Sequence, residues 1–123
     1  MITSSIPLLR RGQLVLVSFD PSVGSEAKKT RPAVIVSNNS ANAVAVRSDR
    51  VTVTVVPVTS NTARILPFHV LLPSEATGLD RHVKAQAEHV RTIAVSRIAR
   101  PVGWVPAELM GALDEALRLH LAL

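Results

Sequence analysis

Residues 51–58 read VTVTVVPV and are followed by the polar run TSNT at residues 59–62. β-Branched side chains that alternate with a period of two fit the pleated, half-buried surface of a sheet. Short hydrogen-bonding side chains such as those of residues 59–62 are typical of a strand end. This stretch therefore predicts a β-strand that ends in a polar segment.

Upstream of this strand, two further segments have strand character. Residues 12–19 (GQLVLVSF) predict a strand that ends at Asp20 and Pro21, because Pro cannot continue a ladder. Residues 33–37 (AVIVS) predict a strand that is buried on both faces. The polar loop between them, residues 22–30, has the length and composition of a functional connection.

Downstream, the same patterns continue to the end of the chain. Further strands are predicted at residues 67–72, 82–90, 91–95 and 99–102, and short helical turns at residues 41–46 and 96–98. Within residues 82–90 the alternation predicts that Lys84, Gln86 and Glu88 point outward. Trp104 is expected to anchor the core. A packing helix is predicted from Pro106 onward, with an apolar stripe formed by Leu109, Leu113, Ala116 and Leu117.

These segments predict a mainly β fold, an SH3-like small barrel with a C-terminal α-helix. Valine occurs 18 times, and a chain of 123 residues suits one domain over residues 1–123. The absence of cysteine excludes disulfides, thiolate zinc sites and a Cys nucleophile. Without a signal-like start or a long apolar run, a cytoplasmic protein with no membrane partner is expected.

Net charge and motif content narrow the function. The formal net charge is +5, and residues 106–123 contain one Arg and three acids, so the positive charge belongs to the strand-rich part and favours an anionic partner. The histidines and carboxylates lack metal-ligating spacings, and neither a P-loop nor a Ser-hydrolase elbow is present. No metal or cofactor is therefore predicted. His89 is interpreted as a semi-buried histidine, with proton transfer left open.

Four segments together resemble one known family. They are GSEAKKTRPAVIVSN at residues 24–38, VPVTS at 56–60, EHVRTI at 88–93 and SRI at 96–98. In this order they resemble the MazF/PemK toxins over roughly residues 11–102. Two departures stand out: His89 occupies a position where the family commonly has Gln, and residues 40–50 have no clear counterpart.

The resemblance implies a toxin of a type II toxin–antitoxin system. Such a protein is a homodimeric barrel that cuts single-stranded RNA, usually mRNA, without metal. It is silenced by a cognate antitoxin, expected to be acidic and partly disordered. The implied catalytic residues are Arg31, Thr59 and, as candidate general base, Glu26. The implied RNA-binding residues are Ser25, Lys28, Lys29, Ser60, Asn61, His89 and Arg91.

The implied chemistry suits these residue types. RNA carries its own nucleophile, the 2′-hydroxyl, so an enzyme can act by positioning the phosphate and stabilising the developing charge. The guanidinium of Arg31 can donate a bidentate pair of hydrogen bonds to phosphate oxygens, and the hydroxyl of Thr59 can add a donor. Two alternatives stay open: a gyrase poison of CcdB type, and a barrel that binds nucleic acid or protein without catalysis.

Overall fold

A computed structural model describes residues 9–19, 30–47 and 52–123. Within these ranges there are seven strands: β1 (Gln13–Val17), β2 (Arg31–Ile35), β3 (Thr52–Thr59), β4 (His69–Leu72), β5 (Val83–Gln86), β6 (Arg91–Ala94) and β7 (Ile98–Trp104). The α-helices there are α1 (Asn39–Val46), α2 (Ser74–Thr77) and α3 (Ala107–Leu121), and 3-10 turns span Ala87–His89 and Val95–Arg97. None of the described helices is long and apolar enough to cross a membrane.

The strands form one antiparallel sheet centred on β3. Its order is β4-β5-β3-β2-β1-β7, and β6 also pairs with β3. One side of β3 pairs with β2, and its other side pairs first with β6 and then with β5. The prediction of a mainly β fold with a C-terminal helix is confirmed, as are the helical turns at residues 41–46 and 96–98.

The sheet is buried on both faces, as β2 shows. Val34 belongs to a cluster that includes Leu113 of α3. Ala33 and Ile35 belong to a second cluster, which includes Ala45 of α1. Ala33, Val34 and Ile35 are fully buried, which confirms the predicted burial on both faces for this part of residues 33–37. The strand ends at Ile35, and Val36 and Ser37 beyond it are only partly buried. At roughly 1.5–3 kcal/mol for each large aliphatic side chain, this double burial fixes β2 and the residue at its N-terminal end.

The predicted strand 82–90 is interrupted. β5 ends at Gln86, and the 3-10 turn Ala87–His89 separates it from β6. Across the ladder, Val58 pairs with Ala85 and Val55 pairs with Arg91, so residues 86–90 face only two residues of β3. One of those two is Pro57, which has no N–H to give to a ladder. The strand that pairs with β3 is therefore interrupted next to Pro57, and it continues as β5 on one side and β6 on the other.

Three further predictions about side-chain orientation were wrong. Lys84 is buried, because the segment before β4 covers it and the carbonyl of Arg64 accepts a 2.7 Å hydrogen bond from its Nζ. Glu88 is partly buried, because its carboxylate pairs with His69. Trp104 is 51% exposed rather than a core anchor, since it ends β7 at the margin of the sheet.

Candidate functional site

Arg31 and Thr59 come together at the ends of neighbouring strands. Arg31 opens β2 and Thr59 closes β3. The antiparallel ladder of β2 and β3 runs from Ile35–Val55 to Ala33–Pro57. Extended by two residues, this register brings Arg31 to the side of Thr59, and both residues line one cavity. Directly opposite residues of an antiparallel pair share one face of the sheet. The register explains why two residues far apart in sequence border the same cavity.

Two cavities adjoin at Arg31. The first, of about 310 Å³, is lined by Arg31, Pro32, Val58, Thr59, Ser60, Leu79, Asp80, Arg81 and Val83. The second, of about 290 Å³, is lined by Phe19, Arg31, Pro57, Val58, Gln86, His89 and Arg91. Because both include Arg31 and Val58, we refer to the two together as the Arg31 groove.

The Thr59 hydroxyl is oriented by the turn that follows β3. Its Oγ1 accepts a 3.2 Å hydrogen bond from the backbone N–H of Asn61. The Asn61 side chain in turn accepts from the N–H of Ala63 at 3.3 Å. The Thr59 hydroxyl hydrogen therefore stays available to a ligand in the first cavity, whereas Asn61 serves the turn and lines neither cavity. Ser60 lines the first cavity and is exposed.

The charge in the groove is positive. Among the described residues, no carboxylate forms an ion pair with Arg31 or Arg91. Arg81 adds a third guanidinium, and its ion pair with Asp80 is long, 3.7 Å, and exposed. Such pairs contribute little, so the field of Arg81 remains available to a ligand. Arg81 belongs to no motif, so no pattern in the sequence indicates that it lines the groove.

Arg91 is held by an aromatic ring that was also missed. Its guanidinium carbon lies 5.0 Å from the ring centroid of Phe19, a cation–π arrangement worth roughly 0.5–1 kcal/mol at an exposed site. Both side chains line the second cavity. Phe19 gives that cavity one flat apolar surface, which suits the face of a nucleobase.

His89 shares the second cavity with Arg31 and Arg91. Its side chain is 59% exposed, so the interpretation as a semi-buried histidine was wrong. The interruption of the strand at residues 87–89 turns it outward. Its Nε2 lies 3.8 Å from Oε2 of Glu88.

The carboxylate of Glu88 contacts the buried imidazole of His69. Nε2 of His69 lies 2.9 Å from Oε2 of Glu88, and the His69 side chain is 5% exposed. Burial by itself raises the pKa of Glu88, but the hydrogen bonds from His69 and from a backbone N–H, together with the nearby imidazoles of His69 and His89, outweigh it. The pKa of Glu88 is therefore lowered from its ordinary value.

Four of the predicted site residues fall between β1 and β2 along the chain. Ser25, Glu26, Lys28 and Lys29 lie outside the described residues. Within the described ranges, no three side chains of the metal-ligating types His, Asp and Glu come together.

The fold and the groove define a sheet protein with three guanidiniums and a hydroxyl along one open groove, an arrangement whose chemistry suits a phosphate-bearing ligand. The chain belongs to the PemK-like, MazF-like toxins of type II toxin–antitoxin systems, whose family model matches residues 10–121. The resemblance found in the sequence is thereby confirmed.

Relatives and solved structures agree with this membership. The chain is 54% identical over 116 residues to "Endoribonuclease MazF9" of Mycobacterium tuberculosis, covering 94% of this chain and 98% of that protein. It is 43% identical over 95 residues to "Probable endoribonuclease MazF1" of the same organism, covering 77% and 87%. The crystal structure of MazE-MazF (Form-II) from Deinococcus radiodurans matches with a TM-score of 0.77 at 28% identity, covering 95% and 98%. The alternatives of a gyrase poison and a non-catalytic barrel gain no support from these names.

Proposed function

We propose that this chain is an endoribonuclease toxin that cuts single-stranded RNA, with mRNA as its usual substrate. The observation that carries the proposal is the meeting of Arg31 and Thr59 at one cavity, at the adjoining ends of the paired strands β2 and β3. The relatives named as endoribonucleases support it, since the chain covers nearly all of the length of MazF9.

Cleavage proceeds through the substrate's own 2′-hydroxyl. Its oxygen attacks the adjacent phosphorus, the bond to the 5′-oxygen breaks, and the products end in a 2′,3′-cyclic phosphate and a 5′-hydroxyl. Arg31 binds the nonbridging oxygens, where negative charge develops, and Thr59 donates to the same phosphate. These two side chains supply the charge stabilisation, so the reaction needs no metal. Arg81, Ser60 and Arg91 hold the neighbouring chain in the groove.

The assembly and the partner follow from the same features. Among the described strands, β4 and β7 stand at the two ends of the strand order, and such edge strands favour association, which supports a homodimer. An acidic, partly disordered antitoxin segment fits the positive Arg31 groove, where it would compete with RNA. We also propose a cytoplasmic location and a single toxin domain over residues 1–123.

The test is cleavage of a defined pool of single-stranded RNA by the purified chain in excess chelator, with both product ends mapped. We expect 2′,3′-cyclic phosphate and 5′-hydroxyl ends. A substrate with one 2′-deoxynucleotide before the scissile bond should resist cleavage. Products with 3′-hydroxyl and 5′-phosphate ends would refute the mechanism. Tight RNA binding without cleavage would favour the non-catalytic barrel, and inhibition of gyrase supercoiling would favour the gyrase poison.

A further inference from the structure

The 3-10 turn Ala87–His89 is held in place by β4 and the residue before it. The backbone N–H of Ala87 donates to the carbonyl of Phe68 at 3.1 Å. His69, which opens β4, contacts Glu88 through Nε2 at 2.9 Å. The turn is therefore fixed through its backbone and through a side chain, and the direction in which His89 leaves it is fixed as well.

The hydrogen bonds of His69 define where its proton lies. Nδ1 accepts a 3.0 Å hydrogen bond from the backbone N–H of Leu66, so this nitrogen carries no proton. The ring proton is on Nε2 and is donated to Glu88. Phe68 packs against the ring edge, with 4.7 Å between the ring centroids. His69 thus serves as a fixed donor that orients the carboxylate of Glu88 and favours its ionised form.

That carboxylate also lies next to the imidazole of His89. The same Oε2 that accepts from His69 lies 3.8 Å from Nε2 of His89. The other charged groups that border the second cavity with His89 are Arg31 and Arg91, and its uncharged polar neighbour there is Gln86.

Proton transfer at neutral pH requires a group that titrates near that pH. Among the described residues that line the Arg31 groove, the ionisable side chains are the three arginines, Asp80 and His89. Arginine keeps its proton, and the carboxylate of Asp80 is an acceptor in its ion pair with Arg81. Within that set, His89 is the group suited to giving a proton to a leaving oxygen.

We propose that His89 is the general acid that protonates the 5′-oxygen as it leaves, and that Glu88, fixed by His69, is its positioning residue. The inference rests on the endoribonuclease function proposed above. As the 2′-oxygen bonds to phosphorus, its proton passes to a water molecule. As the bond from phosphorus to the 5′-oxygen breaks, the proton on His89 moves to that oxygen and the imidazole becomes neutral.

The decisive experiment compares two RNA substrates that differ in one atom. One has the ordinary 5′-oxygen at the scissile bond, and the other has sulfur there, which leaves as a thiolate without needing a proton. We expect His89→Gln to slow cleavage of the oxygen substrate by about 10²-fold or more, and to cleave the sulfur substrate at close to the wild-type rate. His82→Gln is the matched control. The Nδ1 of His82 also faces a carboxylate, that of Glu75, at 3.9 Å, but His82 lines neither cavity.

Equal losses on both substrates would overturn the proposal, because they would mean that His89 only binds RNA. A wild-type chain that cleaves neither substrate would instead refute the proposed function itself. The two failures are therefore distinguishable.

The positioning role has its own readout. Glu88→Gln removes the carboxylate that contacts His89, so we expect it to slow cleavage of the oxygen substrate more than cleavage of the sulfur substrate, as His89→Gln does. His69→Gln retains an N–H donor for Glu88 and should cleave both substrates at close to the wild-type rate. Equal losses on both substrates in Glu88→Gln would show that Glu88 does not act through His89.

Discussion

Replacing Arg31 by alanine should separate activity from stability. Arg31 is exposed, and among the described residues it has no ion pair or hydrogen-bonded side-chain partner. Surface substitutions of this kind change the free energy of unfolding by roughly 0.5 kcal/mol or less. The fold of Arg31→Ala should therefore stay intact.

The effect on cleavage should be large. Removing one preorganised donor from a charge-stabilising site costs about 10²–10³-fold in kcat, or roughly 2.7–4 kcal/mol. Arg31 supplies two donors and a full charge between two cavities, so Arg31→Ala should lose about 10³-fold or more. Arg31→Lys keeps the charge without the planar pair of donors, so its cleavage rate should lie between those of the wild type and Arg31→Ala.

The assay is single-turnover cleavage of a fluorogenic single-stranded RNA, with urea unfolding of each variant in parallel. Arg10→Ala is the matched control, since Arg10 is also exposed and lines neither cavity. Arg31→Ala within tenfold of the wild-type rate, with unchanged unfolding, would refute the role assigned to Arg31. A large loss of stability in Arg31→Ala would contradict the expectation that Arg31 contributes little to the free energy of unfolding.

Three further outcomes are expected. Thr59→Val, which removes the hydroxyl but keeps the shape, should lower the single-turnover cleavage rate by about 10²-fold, less than Arg31→Ala; an unaffected rate would remove Thr59 from the mechanism. The pKa of Glu88 is lower in the folded chain than its ordinary value of 4.5, so its ionised carboxylate stabilises the fold at pH values above 4.5. This contribution is lost as pH falls through the folded-state pKa. Glu88→Gln should thus be less stable than wild type by about 1 kcal/mol at pH 7 in urea unfolding, with a gap that narrows below about pH 4.5; a constant gap would contradict this sign. A Cβ on Gly103 would lie 2.4 Å from the carbonyl oxygen of Thr77, so Gly103→Ala should destabilise the fold by roughly 1–3 kcal/mol. A Cβ on Gly111 in α3 meets nothing within 4 Å, so Gly111→Ala should not destabilise the fold. Equal melting temperatures of the two variants would contradict the contact at Gly103.

Part of the site could be predicted from sequence because its residues lie in short motifs at strand ends. Arg31 precedes Pro32 at the start of an apolar run, and Thr59 follows an alternating one. The groove residues that were missed, Phe19 and Arg81, belong to segments whose local pattern is that of any strand end or turn. Their role depends on which strand ends converge, and single segments do not carry that information.

Local patterns in the sequence predict the strand-rich class, the approximate place of each strand, and the helix that follows Pro106. Alternation and periodicity are properties of neighbours along the chain, so they can be recognised without knowing the fold. Three features could be seen only in the folded chain: Glu88 turns back to His69, Lys84 is covered, and His89 faces the groove. Each of these depends on the register of distant strands and on where Pro57 interrupts a ladder, because burial and hydrogen-bond partners arise from segments that meet only after folding.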